Sequence, residues 1–151
     1  MKTMLDWTQI SDDPNNHQAK TELRSLLASL RRINTDCDLM TYLLERSAGK
    51  RVLDIGVAAH SMRHLDSPDW RHGKIAGVAR HCVGIDIIAS LGETIRQRGF
   101  DVRVMDATSD ADMGERFDLV FIGDVIEHVN NPVSLLRFAA RHLAPGGRIL
   151  A

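Results

Sequence analysis

The chain has 151 residues, 44% of them hydrophobic, which is enough for one domain with one core and too apolar for a largely disordered chain. Its 19 basic and 20 acidic residues are mixed along the chain for a net charge of -1, so nothing marks a surface for gripping a phosphate backbone, and no nucleic-acid partner is expected. The amino-terminal stretch MKTMLDWTQISDDPNN lacks the apolar core of a signal peptide, and no stretch approaches the ~20 apolar residues that span a bilayer. The expectation is a cytoplasmic protein with no membrane partner. Cys37 and Cys82 lie far apart without CxxC pairing and read as reduced, inert thiols.

Residues 1 to 16 read as an extended arm, with Asn16 or Asn15 capping a helix. From His17 to Ile33, Leu23, Leu26, Leu27, Leu30 and Ile33 recur at three- and four-residue spacing, one apolar stripe on an amphipathic helix. Thr35 or Asp36 can cap a second helix carrying Leu39, Leu43 and Leu44, which Gly49 stops. Together they make an N-terminal helical cap over residues 1–49, covering the sheet or a ligand mouth; the plainer reading is two packing helices. Val52, Leu53 and Ile55 then form the short apolar run of a central parallel strand covered on both faces, ending at Asp54 and Gly56. A carboxylate and a glycine at that end fall where open α/β sheets bind ligands.

Residues 57–81 are the least regular, with a short helix near 60–66, a loop through Ser67-Pro68-Asp69 and Trp70, and a helical turn around 72–80. Trp70 reads more readily as an anchor of that loop than as part of an acceptor pocket. Cys82 to Ile87 repeats the first format, an apolar run with an aspartate, Asp86. Ser90 and Glu93 fit a capping box, and Gly99 closes that helix. Phe100 to Met105 is a third strand, ending in Asp106. Residues 110–116 are a polar connection with room for one helical turn, and Phe117 to Gly123 is a fourth buried strand followed at once by Asp124, Glu127 and His128. Asn131-Pro132 opens a helix with Leu135, Leu136, Ala139 and Leu143 on its buried face, Ala144-Pro145-Gly146-Gly147 turns the chain, and Arg148 begins a fifth strand. Five alternations of strand and helix predict a parallel sheet with helices on both faces.

In such a sheet Asp54, Asp86 and Asp106 share one edge, a row of acids suited to a ligand with hydroxyls and amines to donate. A nicotinamide dinucleotide fits less well. Asp86 lies 30 residues beyond Gly56, where that fold places its ribose acid ~20 residues on, and Val57-Ala58-Ala59-His60 is no G-x-G-x-x-G.

Taken in order, Val52-Leu53-Asp54-Ile55-Gly56, Val83-Gly84-Ile85-Asp86, Val104-Met105-Asp106-Ala107, Phe117-Asp118-Leu119-Val120 through Gly123-Asp124-Val125-Ile126-Glu127-His128-Val129, and Leu143-Ala144-Pro145-Gly146-Gly147-Arg148 resemble the class I S-adenosylmethionine-dependent methyltransferases. The resemblance covers roughly residues 50 to 151, the expected catalytic domain. It implies a doubly wound, Rossmann-like α/β sheet, S-adenosylmethionine as cofactor and a small-molecule methyl acceptor as partner. By the same resemblance Gly56 and the loop after it face the methionyl part of the cofactor, with Asp54 behind them accepting loop amide hydrogens. Asp86, with Ile87 beside it, holds the ribose; Asp106 and Ala107 border the adenine; Asp124 lies near the methionyl ammonium or the substrate. His128 has the most suitable unperturbed pKa nearby for a base, and packing or a backbone bond is its plainer role.

The sequence departs from the family in two places. Ala58 and His60 stand where its loop carries glycines, although a bacterial subgroup with a similar D-x-W-x-H-G crossover, here Asp69-Trp70-Arg71-His72-Gly73, also lacks them. The family sheet usually continues past the fifth strand, so its last strands are missing and a chain truncated after Ala151 is expected; a bare edge strand would invite association, including a homo-oligomer. No metal is expected. Asp124, Glu127 and His128 supply too few oxygen ligands from neighbouring turn positions, and His60 with His64 lacks a third ligand. The alternative reading is a non-catalytic scaffold or binding module with a degenerate cofactor loop, and a third is a nucleotide-dependent oxidoreductase.

Overall fold

A computed structural model of the chain describes residues 16, 17, 20–22, 24, 25, 38–58 and 62–151. The chain divides into two compact units, residues 1–39 and 40–151, and residues 17, 20–22, 24 and 25 of the first are helical. The leucine stripe from Leu23 to Ile33, the cap at Thr35 or Asp36, Cys37 and His60 lie outside the described residues.

In the second unit five parallel strands pair in the order β3-β2-β1-β4-β5, where β1 is Arg51–Ile55, β2 His81–Asp86, β3 Val102–Val104, β4 Phe117–Ile122 and β5 Leu143–Leu150. Alternation along the strands sorts side chains to two faces. Leu53 is in register with Val83 and Val120, and Ile55 with Ile85 and Ile122, so one face is a continuous apolar layer. Leu135, Phe138 and Ala139 of the helix Pro132–Arg141 cover it. On the other face Val52, Leu119 and Phe121 pack with Leu43 of helix α1 (Leu39–Ser47) and Ile75 of helix α3 (Arg71–Val78), which follows the short helix α2 (Met62–Leu65). A third cluster joins Leu91 and Ile95 of helix α4 (Ala89–Gln97) to Val102, Leu65, Val57 and Ala58. Each fully buried Val, Leu, Ile or Phe side chain here contributes about 1.5–3 kcal/mol. The expected α/β sheet with helices on both faces is therefore present.

Local chemistry moves several expected boundaries. The capping box at Ser90 does not form: α4 begins at Ala89, with Ile88 as N-cap and no side-chain cap. Asp86 Oδ1 instead accepts from Ile88 N–H at 3.0 Å, turning the chain two residues earlier, and Glu93 pairs with Arg96. Residues 110–116 contain no helical turn. The segment is tied down by Met113 N–H donating to His142 Nε2 at 3.0 Å and by the Arg116–Asp112 ion pair. His142 is fully buried and its Nδ1 faces Phe138 O at 2.8 Å; since Nε2 accepts, Nδ1 carries the hydrogen and donates. Helix α5 (Pro132–Arg141) has the expected cap, Asn131 Oδ1 accepting from Ser134 N–H at 3.1 Å. Its buried face uses Phe138, while Leu136 is exposed. The fifth strand starts at Leu143 rather than Arg148, because Phe117 N–H already donates to His142 O at 2.8 Å. Two steps along β4, Phe117 to Leu119, are then matched by the five from Leu143 to Arg148, so the expected turn is a bulge inside the strand.

No helix among the described residues is long and apolar enough to cross a membrane. Burial, with smaller contributions from Asp54 and Asp101, pushes the Cys82 thiol well up. A thiol kept protonated is a poor nucleophile, in keeping with the inert role expected of it.

Where β1 and β2 begin, Glu115 gathers Arg103 (2.5 Å), Arg51 (3.0 Å) and His81 (3.4 Å). The Arg103 hydrogen bond is the main reason its carboxyl titrates below the ordinary glutamate value. A carboxylate with a depressed folded pKa stabilises the fold above its unfolded pKa of about 4.3 and loses that contribution as pH falls through the folded value. Glu115→Gln is expected to cost about 1 kcal/mol at pH 7, a fall of about 2–4 °C in melting temperature, with the gap to wild type closing below about pH 4. Paired thermal melts from pH 7 to pH 3 check this, and a gap that stays constant with pH would refute it.

Candidate functional site

The carboxyl ends of β1 to β4 open on a cleft of about 680 Å³, within the range of about 300–1,000 Å³ usual for small-molecule sites. All eight positions singled out from the sequence border it: Asp54, Gly56, Asp86, Ile87, Asp106, Ala107, Asp124 and His128. Each reaches it by local chain chemistry. Gly56 leaves β1 at φ 87° while its N–H donates to Ile85 O of β2 at 2.9 Å, so the chain turns up between two strands with no side chain in the way. A Cβ there would sit 2.1 Å from Val125 Cγ2.

Asp86 closes β2 with both carboxylate oxygens engaged, Oδ2 accepting from Ala58 N–H at 2.9 Å and Oδ1 from Ile88 N–H. The two anchors fix the carboxylate while leaving each oxygen a second lone pair for a ligand hydroxyl. Ile87 beside it is 70% exposed, an apolar surface at the cleft. Asp106 Oδ1 accepts from Thr108 N–H and Thr108 Oγ1, both at 2.7 Å, and these bonds hold its carboxyl below the usual aspartate range. Ala107, buried, joins the core beneath. Asp124 follows β4 at φ 53°, a conformation non-glycine residues seldom adopt, and pairs with Arg71. The Arg71 guanidinium lies over the Phe121 ring at 5.9 Å. His128 ends the 3-10 turn Ile126–His128, its N–H donating to Val125 O at 2.9 Å.

Asp54 borders the cleft differently from expectation. It is 3% exposed, and its Oδ2 faces His72 Nδ1 at 2.9 Å rather than a loop amide. Alternation explains this: Asp54 shares the face of Val52, against which α3 packs. His72, also buried, was not singled out from the sequence, and its Nε2 has no hydrogen-bond partner among the described residues. Arg71 was missed likewise; the only available signal was the run Trp70-Arg71-His72 at the start of a helix. Trp70 does anchor its loop, packing edge-on to Phe100 at 4.9 Å and donating from Nε1 to Val57 O at 3.0 Å. Among the described residues no group of three or more His, Cys, Asp or Glu side chains is arranged to hold a metal ion.

These residues fit a nucleoside bearing an amino-acid chain. Two anchored carboxylates with spare lone pairs suit ribose hydroxyls and an exocyclic amine, Ile87 and Met105 offer apolar contact to a base, and the charged pair Arg71–Asp124 matches a zwitterion.

Comparison with known proteins agrees. Residues 17–151 match the family model described as a methyltransferase domain. The ubiquinone biosynthesis O-methyltransferase of Pseudomonas entomophila (strain L48) is 30% identical over 105 residues, which cover 68% of this chain and 43% of that protein. The chain thus spans less than half the length of this curated relative. A TehB-like SAM-dependent methyltransferase from Corynebacterium glutamicum superposes with a TM-score of 0.58 at 18% identity, covering 87% of this chain and 71% of the other. The N-methyltransferase NodS from Bradyrhizobium japonicum, in complex with S-adenosyl-l-homocysteine, gives 0.55 at 22% identity over 73% of this chain and 57% of its own. Ordered strand-end motifs, a five-stranded parallel sheet and the family match over residues 17–151 place this chain among the class I S-adenosylmethionine-dependent methyltransferases.

Proposed function

We infer that the protein transfers a methyl group to a hydroxyl or amine of a small-molecule acceptor. The observation that carries the reading is the convergence of Asp86, Asp106 and the Gly56 turn on one cleft. S-adenosylmethionine, when bound, supplies an already activated methyl group on its sulfonium, so positioning of the acceptor does much of the work. In this reading Asp86 holds the ribose hydroxyls, Asp106 and Ala107 border the adenine with Ile87 against it, and Gly56 lets the backbone approach the methionyl part. Asp124 faces the ammonium and Arg71 offers the matching cation. Asp54 acts from below, through His72 and the strand end it fixes. His128 takes the proton of the acceptor.

A ligand that binds only the folded state raises its melting temperature, by about 2.7 kcal/mol of added stability at one hundred times its dissociation constant. Saturating S-adenosylhomocysteine is therefore expected to raise the midpoint by several degrees, and NAD or NADP to leave it unchanged. No shift with S-adenosylhomocysteine favours the scaffold reading, and a shift with NAD or NADP alone the oxidoreductase. With labelled cofactor and an accepted hydroxyl or amine substrate, His128→Ala should lower turnover about a hundredfold while S-adenosylhomocysteine binds as before. Unchanged turnover would remove His128 as the base.

A further inference from the structure

The loop after Gly56 lacks the glycines its family relies on, and the structure offers a different means of holding it. Val57 and Ala58 are 3% and 0% exposed, seated in the cluster with Leu65, Leu91, Ile95 and Val102. Trp70 Nε1–H donates to Val57 O at 3.0 Å, and Ala58 N–H donates to Asp86 Oδ2 at 2.9 Å. Two residues on from Trp70, His72 reaches Asp54 Oδ2, two residues before Gly56. The rings of Trp70, His72 and Phe100 contact one another at 4.9 to 5.6 Å, so the two tethers share one support. Beneath them Gly84 of β2 has no side chain, and a Cβ there would meet His72 Cε1 and Val57 Cγ1, each at 2.8 Å.

We propose that Trp70 and His72, which also border the cleft, act as positioning residues that clamp the strand end and loop 54–58 from the crossover, seated on Gly84, and so set cofactor affinity through that loop. The inference rests on the methyltransferase reading above, and it runs through Asp86: the amide that Trp70 steadies, by way of Val57, belongs to the next residue and is bonded to the carboxylate assigned to the ribose. A bare polar loop would have to be ordered by the ligand, at a cost in affinity that a pre-set loop avoids.

Trp70→Phe keeps an aromatic ring against Phe100 and removes the donor to Val57 O together with part of the indole. The folded variant is expected to melt within about 4 °C of wild type, to bind S-adenosylhomocysteine about 5- to 10-fold more weakly in calorimetry, and to exchange the Ala58 amide hydrogen about 5- to 10-fold faster without ligand. A residue that serves only packing would move the melting point and leave these two readouts alone. Affinity and exchange both unchanged in folded Trp70→Phe overturn the clamp. If wild type fails to bind S-adenosylhomocysteine, the methyltransferase reading and the affinity claim fall together, while the ligand-free exchange separately decides whether the tether exists. Should Trp70→Phe not fold, His72→Gln against His72→Leu repeats the comparison, since glutamine keeps a donor for Asp54; equal affinities in that pair refute the proposal.

Discussion

Asp86→Ala is expected to weaken S-adenosylhomocysteine binding about a thousandfold while the sheet survives. Hydrogen bonds to a charged group contribute about 1.5–3 kcal/mol each, and two ribose hydroxyls on one carboxylate therefore account for about 3–6 kcal/mol, or about 10² to 10⁴ in affinity. The substitution also strips the partners of Ala58 N–H and Ile88 N–H, which adds loop disorder to the lost contact. The strand itself is safe. Val83, Gly84 and Ile85 are buried and paired with β1, and Asp86 lies beyond that pairing. Asp86→Asn separates the two effects, because one amide oxygen can still take Ala58 N–H while charge and one acceptor are gone; it should fall between wild type and alanine. Calorimetric titration of all three proteins checks this. Affinity within about twofold of wild type in Asp86→Ala would remove the ribose contact and leave the cleft without an assigned occupant.

Why the acids could be found from sequence and their neighbours could not is a matter of range. A short, largely apolar run closing around Asp54, Asp86 or Asp106 marks both the strand and its ligand end, most plainly at β1, which is buried on both faces. Parallel pairing then brings all three strand ends to one rim without further information, although the Asp54 side chain turns below it to His72. The partner of Asp54 is another matter: His72 sits 18 residues away on a helix whose docking on the Val52 face no local pattern encodes. Arg71 and Asp124 are 53 residues apart and meet only because α3 and the β4 turn flank one cleft. The failed capping box has a local cause that sequence rules rank wrongly. Ser90 and Glu93 had the right spacing, but Asp86 had already bonded Ile88 N–H and started the turn. Likewise Leu136 has helical i, i+3 spacing with Ala139, yet the sheet is reached by only one side of α5, and Phe138 fills it.

Gly56→Ala should be the most destabilising single change at the site. At φ 87° an L residue is strained by about 1–3 kcal/mol, and the new methyl group would start 2.1 Å from Val125 Cγ2, a clash of overpacking that costs a further 1–3 kcal/mol or so. Together that is about 2–6 kcal/mol from a fold whose total stability is about 5–15 kcal/mol, enough to lower the melting temperature by about 10 °C. Relief by movement is poor on both sides. The loop is tied to Ile85 O, and Val125 packs on the central cluster just before the turn that carries His128. Gly56→Ala combined with Val125→Ala tells the two costs apart: the double variant removes the clash and keeps the backbone strain, so it should recover about half of the lost stability rather than add a second loss. Thermal unfolding of the two single variants and the double variant decides this. Additive losses would mean that Val125 does not face Gly56, and with that the description of the strand end around which the cleft is built would be wrong.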